Sequence, residues 1–357
     1  MHRALLDFSL PDELIASRPT AEREEARLLL VDRTQPPGEV GHSTICKLDE
    51  HIPPGALVIV NDTRVVAARL LGRKLATGGQ VELLLLRKLK SSEGGLVEHW
   101  LARGRASKPI RQGAELAFGE NGEIKAHVVQ CAGDAMLEVV LSSPRGVAVE
   151  KLIGIHGHIP LPPYMKRADD ASDRERYQTV FARTPGAIAA PTAGLHFSNQ
   201  LVEKLQSRGV KMTSITLHVG LGTFKPVTAL DLDDHPMHEE EYFVSDEVSE
   251  AIDDARRRKV PVIAVGTTVV RALETAADPS RPGRVTASSG ETRVLIQPGY
   301  RFRVVDALIT NFHLPQSTLL ALVCAFAGGR RTLAAYRAAI TSSYRFYSYG
   351  DAMMVFG

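Results

Sequence analysis

Four apolar runs of the sequence end in clusters of glycine, threonine and histidine: AAPTAGLHF (189–197), TLHVGLGTF (216–224), AVGTT (264–268) and ITNFHLP (309–315). In open α/β sheets ligands collect where strands end, and glycine there lets backbone N–H groups approach a polar ligand closely. Thr192, Gly194, Gly220, Gly222, Gly266, Thr267 and Asn311 are therefore expected to line one shared pocket. The competing reading of each glycine is that it only permits a turn. No cluster matches the GxGxxG turn of dinucleotide folds or the GxxxxGK[ST] phosphate loop, so neither NAD nor ATP is supported.

Histidines at 156, 158, 196, 218, 235, 238 and 313 could relay protons or bind metal. His235 and His238 lie three apart beside Glu239 in DDHPMHEEEY (233–242). Pro236 between them opposes a regular helix and the HExxH pattern of zinc hydrolases is missing, so no metal is expected. Basic residues cluster at Arg103, Arg105, Lys108 and Arg111, and again in 328–351, where Tyr336, Tyr344, Phe346, Tyr347 and Tyr349 are interleaved with them. Cations can neutralise phosphates and aromatic rings can stack on unpaired bases, so both stretches permit RNA binding, with Tyr344 and Arg345 the C-terminal candidates. A solvated basic loop and an amphipathic terminal helix are the alternatives.

These residues need a scaffold, and 357 residues with 44% hydrophobic content suffice for two domains. The formal net charge is only +2, so a nucleic-acid surface must come from local clustering. Cys46, Cys131 and Cys324 are far apart with no CxxC spacing, which fits a reduced cytoplasm. The N-terminus has no basic start followed by an apolar run, and TLLALVCAFAG (318–328) is too short for a bilayer span, so neither export nor a membrane role is expected.

From residue 56 an apolar strand runs to Asn61 and Asp62, a turn expected to mark a domain border. Between 70 and 149 the β-like pieces VELLLLRK, HWLARG, AELAF, KAHVVQ and MLEVVLS follow one another at short intervals and predict an antiparallel barrel. Beyond Gly154, strands such as SITLHV and VIAVGT alternate with helical stretches begun by Ser198 and Ser245, which predicts an α/β fold. In the second helix Val248, Ile252 and Ala255 recur at helical spacing. The expected architecture is mixed: a larger α/β domain from 1–61 and 151–357, and an inserted antiparallel β-barrel domain from 62–150.

Taken together these motifs resemble the S-adenosylmethionine:tRNA ribosyltransferase-isomerase family of queuosine biosynthesis. The resemblance spans almost the whole chain: DFSLPDELIASRP (7–19), VNDTRVVAARLLG (60–72), VELLLL (81–86), GHIPLPPYMKR (157–167) and RYQTVFA (176–182) precede the four clusters. HPMHEEEY, AVGTTVVRALE, PGYRFRVVDALITNFHLPQSTLL and the closing YRFYSYGDAMMV follow in the family's order. Departures are EEARLLL (24–30), a looser ARGRASKP and VVRALE in place of SVRTLE; the second weakens any assignment of barrel residues to RNA.

The resemblance implies a monomeric cytoplasmic enzyme with a barrel inserted into an α/β domain and no required metal. It implies transfer of the ribosyl moiety of S-adenosylmethionine to 7-aminomethyl-7-deazaguanine in tRNA with a GUN anticodon, giving epoxyqueuosine and releasing adenine and methionine. The sulfonium acidifies the adjacent 5′-carbon, so a base can remove a proton there, and protonation assists adenine departure. His196, His218, His238, Glu239 and His313 are the candidates, a structural histidine being the alternative at each. Two other classes stay open: an RNA-binding module without chemistry, and a metal-assisted hydrolase built on His235, His238 and Glu239.

Overall fold

A computed structural model of the chain describes residues 1–220, 222 and 227–357. Residues 221, 223 and 224 of the TLHVGLGTF cluster lie outside the described residues. The chain forms two compact units, one of Met1–Arg64, Pro162–Arg167 and Arg176–Gly357, the other of Val65–Leu161 and Ala168–Glu175.

The larger unit is built on a nine-stranded mixed sheet. Its order is Ser288–Thr292, Glu240–Val244, Lys211–Leu217, Leu57–Asn61, Val262–Val265, Ala307–Asn311, Ala352–Phe356, Arg27–Asp32 and Gly41–Thr44. Leu57–Asn61 pairs in parallel with both of its neighbours, and all five of its residues are buried. A strand covered on both faces reads as a continuous apolar run, which is what ALVIV presents. Alternate side chains enter opposite cores: Leu57 and Ile59 join Val262, Ala264, Leu308 and Met353 on one face. Val58 and Val60 join Ile263, Val265, Ile309 and Met354 on the other.

Both serine-capped helices form, at Asn199–Ser207 and Asp246–Arg258, with Ser198 accepting from the Leu201 N–H and Ser245 from the Val248 N–H. Val248, Ile252 and Ala255 are the buried residues of the second, as their spacing requires. Thr318–Ala327 is a core helix, and among the described residues no single helix is long and apolar enough to cross a membrane. The aromatic C-terminus ends in the strand Ala352–Phe356, wedged between Ala307–Asn311 and Arg27–Asp32.

The smaller unit is a closed six-stranded barrel in the order Met136–Ser142, Val97–Ala106, Gln80–Ser91, Arg69–Lys74, Glu115–Phe118 and Ile124–Cys131. Every strand pair in it is antiparallel. Leu83, Leu85, Ala102, Val128 and Val139 point inward and fill the barrel core. The border expected at residue 150 moves to Leu161, because the helix Val149–His156 buries Val149, Leu152 and Ile153 in the barrel core. Asp62, expected in the barrel, stays with the larger unit.

Asn61 closes the central strand. Its Nδ2 donates to the Leu217 carbonyl at 2.9 Å, and its Oδ1 accepts from the N–H groups of Leu217 and Thr63, both at 3.1 Å. All of this is buried, so Asn61→Ala strands a carbonyl and two N–H groups. We expect a loss of about 2–4 kcal/mol from two or more unsatisfied groups. Chemical unfolding of the two proteins measures it, and a loss under about 0.5 kcal/mol, the range of an ordinary surface change, would show that the clamp is dispensable.

Candidate functional site

All four strand-end clusters reach one recess of the larger unit, TLHVGLGTF only through Val219. Other residues of that cluster diverge: Thr216 and His218 line a second pocket and Gly222 a third. The first pocket is lined by Thr192, Gly266, Thr267, Thr268, Asn311, His313, Tyr164, Tyr347 and Ser348, among others. Four of the seven expected cosubstrate residues and one of the expected proton-transfer groups therefore share a wall.

Strand Val262–Val265 delivers Gly266 to this pocket at φ +95°, a conformation that a residue with a Cβ adopts only under strain. Helix Thr267–Thr275 starts there with no side-chain cap, so its first N–H groups are open to a ligand. Strand Ala307–Asn311 brings in Asn311, whose Nδ2 donates to the Tyr347 carbonyl at 3.0 Å and lies 3.1 Å from His196 Nε2. A carbonyl can only accept, which fixes the amide orientation and makes His196 Nε2 an acceptor. Asn311 Oδ1 is buried and has no partner. Its backbone neighbourhood is held by the Tyr347 N–H, which donates to the Phe312 carbonyl at 3.1 Å. Tyr347 itself sits at φ +73°, a strained position for a bulky residue that the surrounding bonds must hold. Its ring packs against Tyr164 at 4.6 Å between centroids, and the Tyr164 hydroxyl is hydrogen-bonded to Ser348 Oγ.

Burial dominates the titration here. His313, whose Nε2 lies 2.9 Å from Thr310 Oγ1, is pushed down to about 3 by desolvation. His196 is pushed down to about 4 by desolvation and then by the Arg23 and Arg345 cations. Tyr164 is raised to about 12 by burial. Both imidazoles are thus neutral at pH 7, and the burial that keeps them neutral also disfavours taking up a proton.

The second pocket contains His218 with Asp62, Arg183, Thr216 and Glu241. Thr63 Oγ1 lies 2.7 Å from His218 Nδ1, and burial lowers the imidazole from its ordinary range. The third contains Gly222, His235, His238, Glu240 and Arg271. Glu239 is on the surface in an ion pair with Arg293. The Gly220 N–H donates to Glu240 Oε1 at 3.0 Å. Gly194 has a packing reason: a Cβ there would lie 2.9 Å from Thr179 Cγ2. Among the described residues no group of three or more His, Cys, Asp or Glu side chains is arranged to hold a metal ion.

On the barrel, Arg105, Lys108 and Arg111 are exposed and Arg103 pairs with Asp134 at 3.3 Å. Tyr344 is a correction to the sequence reading: it is fully buried, its hydroxyl 2.9 Å from His42 Nδ1, and the Arg27 guanidinium covers its ring at 3.7 Å. No face is left for a base. Arg345 binds the Arg18 carbonyl through its guanidinium, and its N–H donates to Asp351 Oδ2 at 2.7 Å. Sequence reasoning missed Tyr164, Glu240 and Arg271; the available signal for the last was an arginine inside the apolar stretch TTVVRALE.

The family model described as queuosine biosynthesis protein matches residues 4–355. The chain is 62% identical over 370 residues to the S-adenosylmethionine:tRNA ribosyltransferase-isomerase of Sorangium cellulosum, covering 100% of this chain and 99% of that one. It is 50% identical to the protein of the same name from Anaeromyxobacter dehalogenans, over 98% of this chain and 97% of that one. The crystal structure of an S-adenosylmethionine tRNA ribosyltransferase from Thermotoga maritima is similar at 32% identity and a TM-score of 0.54, covering 98% and 99% of the two chains.

The two buried histidines generate a pH dependence. Their folded values lie below the unfolded value near 6.5, so stability is complete above that value and falls as pH drops toward 4 and then 3. Each histidine contributes up to about 1.4 kcal/mol per pH unit in that window. Chemical unfolding at pH 7.5, 6 and 5 should show the decline, with a shallower slope in His313→Gln; equal slopes would place His313 in contact with solvent.

Proposed function

The chain belongs to the queuosine biosynthesis protein family, and from that premise we propose that it is a transferase that moves and isomerises the ribosyl moiety of S-adenosylmethionine onto tRNA. The acceptor is 7-aminomethyl-7-deazaguanine in a GUN anticodon, the tRNA product carries epoxyqueuosine, and adenine and methionine are released. It acts in the cytoplasm as a monomer and without a metal. Full-length similarity to proteins named for this activity supports the reaction class.

The cosubstrate is assigned to the pocket of Thr192, Gly266, Thr267 and Asn311. The observation that carries this assignment is Asn311 Oδ1, a buried acceptor without a donor, which suits the exocyclic amine of adenine. The rings of Tyr164 and Tyr347 suit a sulfonium, whose charge is attracted to aromatic faces. His313 is the proposed proton-transfer group at the 5′-carbon, since it lines this pocket with Nε2 beside Thr310 Oγ1. His196 is proposed to act through Asn311: its Nε2 lone pair is already engaged there, so it orients the amide. Gly194, Gly220, Gly222, His218, His238 and Glu239 stand outside this wall and are not assigned to the chemistry.

The tRNA is proposed to meet Arg103, Arg105, Lys108 and Arg111 of the barrel, and Arg345 of the larger unit. Incubation with S-adenosylmethionine and tRNA bearing the aminomethyl base should yield adenine and methionine in equal amounts and an epoxycyclopentanediol adduct by mass spectrometry. Formation of S-adenosylhomocysteine instead would identify a methyltransferase and refute the reading.

Phosphate contacts are screened by salt, with each contact adding about 0.9 to the slope of log K against log salt on duplex nucleic acid and about 0.7 on single strands. Arg105→Ala with Lys108→Ala should therefore weaken tRNA binding and flatten its salt dependence while S-adenosylmethionine binding is kept. An unchanged salt slope would remove the barrel cations from the RNA interface.

A further inference from the structure

Helix Thr267–Thr275 carries Arg271 one turn beyond Thr267, about 6 Å further along its axis. Arg271 is 6% exposed and lines the small recess of His235, His238, Ile296, Leu319 and Leu322. Leu319 also lines the Asn311 pocket, so the two recesses share a wall.

The hydrogen bonding of Arg271 is incomplete. Its Nη1 engages Glu240 and its Nε donates to the Val294 carbonyl at 3.2 Å. Its Nη2 is buried with no partner. On the same recess His235 Nδ1 is also buried and unpartnered. A guanidinium has five N–H donors in a planar fork, and a buried N–H without an acceptor is costly, so an unfilled prong usually marks an acceptor that binds from outside. Apolar side chains around the fork exclude water and strengthen any charge-assisted bond formed there.

We propose that this recess binds the carboxylate of the amino-acid end of S-adenosylmethionine, with Arg271 Nη2 and the His235 imidazole as its donors. The inference rests on the placement of the nucleoside end in the Asn311 pocket. A carboxylate matches a partly occupied guanidinium fork, and Glu240, held by Arg271 and by the Gly220 N–H, keeps the fork in position. Arg271 is thus a binding residue that selects the intact amino-acid tail, and nothing in it takes part in proton transfer.

The test is equilibrium binding to the full chain, without tRNA so that no phosphate competes, using S-adenosylmethionine and decarboxylated S-adenosylmethionine. The wild type should prefer the intact ligand by about 10- to 100-fold, the value of one charged hydrogen-bonded contact. Arg271→Gln should weaken the intact ligand by a similar factor, change the decarboxylated one little and so collapse the preference; Arg271→Lys should recover part of it. Melting temperature identifies a variant that fails to fold, and the wild-type comparison then decides alone. Equal wild-type affinity for the two ligands, or an undiminished preference in folded Arg271→Gln, overturns the subsite while leaving the Asn311 pocket in place. Failure of the wild type to bind either ligand removes the pocket assignment and the subsite together.

Discussion

The larger unit depends on how one central strand ends. Leu57–Asn61 is buried on both faces and flanked by parallel strands, so at its last residue the backbone polar groups of the neighbouring strand have no water to turn to. The Asn61 amide supplies both missing partners, pairing the N–H and the carbonyl of Leu217 as another backbone residue would. Asp62 extends the clamp by accepting from Thr216 Oγ1 at 2.6 Å and from Arg183 at 2.7 Å. Thr63 then reaches His218. Fixing Leu217 fixes the path through Gly220 to Glu240, and so the support beneath Arg271.

A second constraint acts at the opposite edge of the first pocket. The strained turn at Tyr347 is held by Asn311 on one side, while Asp351 accepts from the N–H groups of Arg345 and Arg27 on the other. Burial raises the Asp351 carboxyl, showing that desolvation outweighs the bonds and nearby cations that favour its charge. The same low-polarity setting keeps His196 and His313 neutral. The pocket therefore presents aromatic faces and neutral imidazoles, while the Arg271 guanidinium lies in the adjoining recess.

Local signals in the sequence determined much of the architecture. Short β-like pieces at close intervals located the barrel strands, serine caps located the helices at 199 and 246, and the burial of Val248, Ile252 and Ala255 followed from helical spacing. The apolar run 56–60 announced a strand, and its burial on both faces is why it shows no alternation. Family membership was legible too, since motif order along the chain is itself a sequence property.

Tertiary structure decided what lies next to what. One shared pocket was the natural reading of four similar clusters, and all four do reach it, but other residues of TLHVGLGTF turn to neighbouring recesses, because strand order is set by long-range pairing that local patterns do not encode. Tyr344 had the composition of a base-stacking residue and became a core anchor, because only the packed fold shows which aromatic faces are already covered. The helix at 149–156 joined the barrel through three apolar side chains whose destination no spacing reveals. Asn311 and Arg271 are conspicuous only once their other hydrogen bonds are counted, and an unpaired buried atom is a property of the fold, which the sequence determines but does not display.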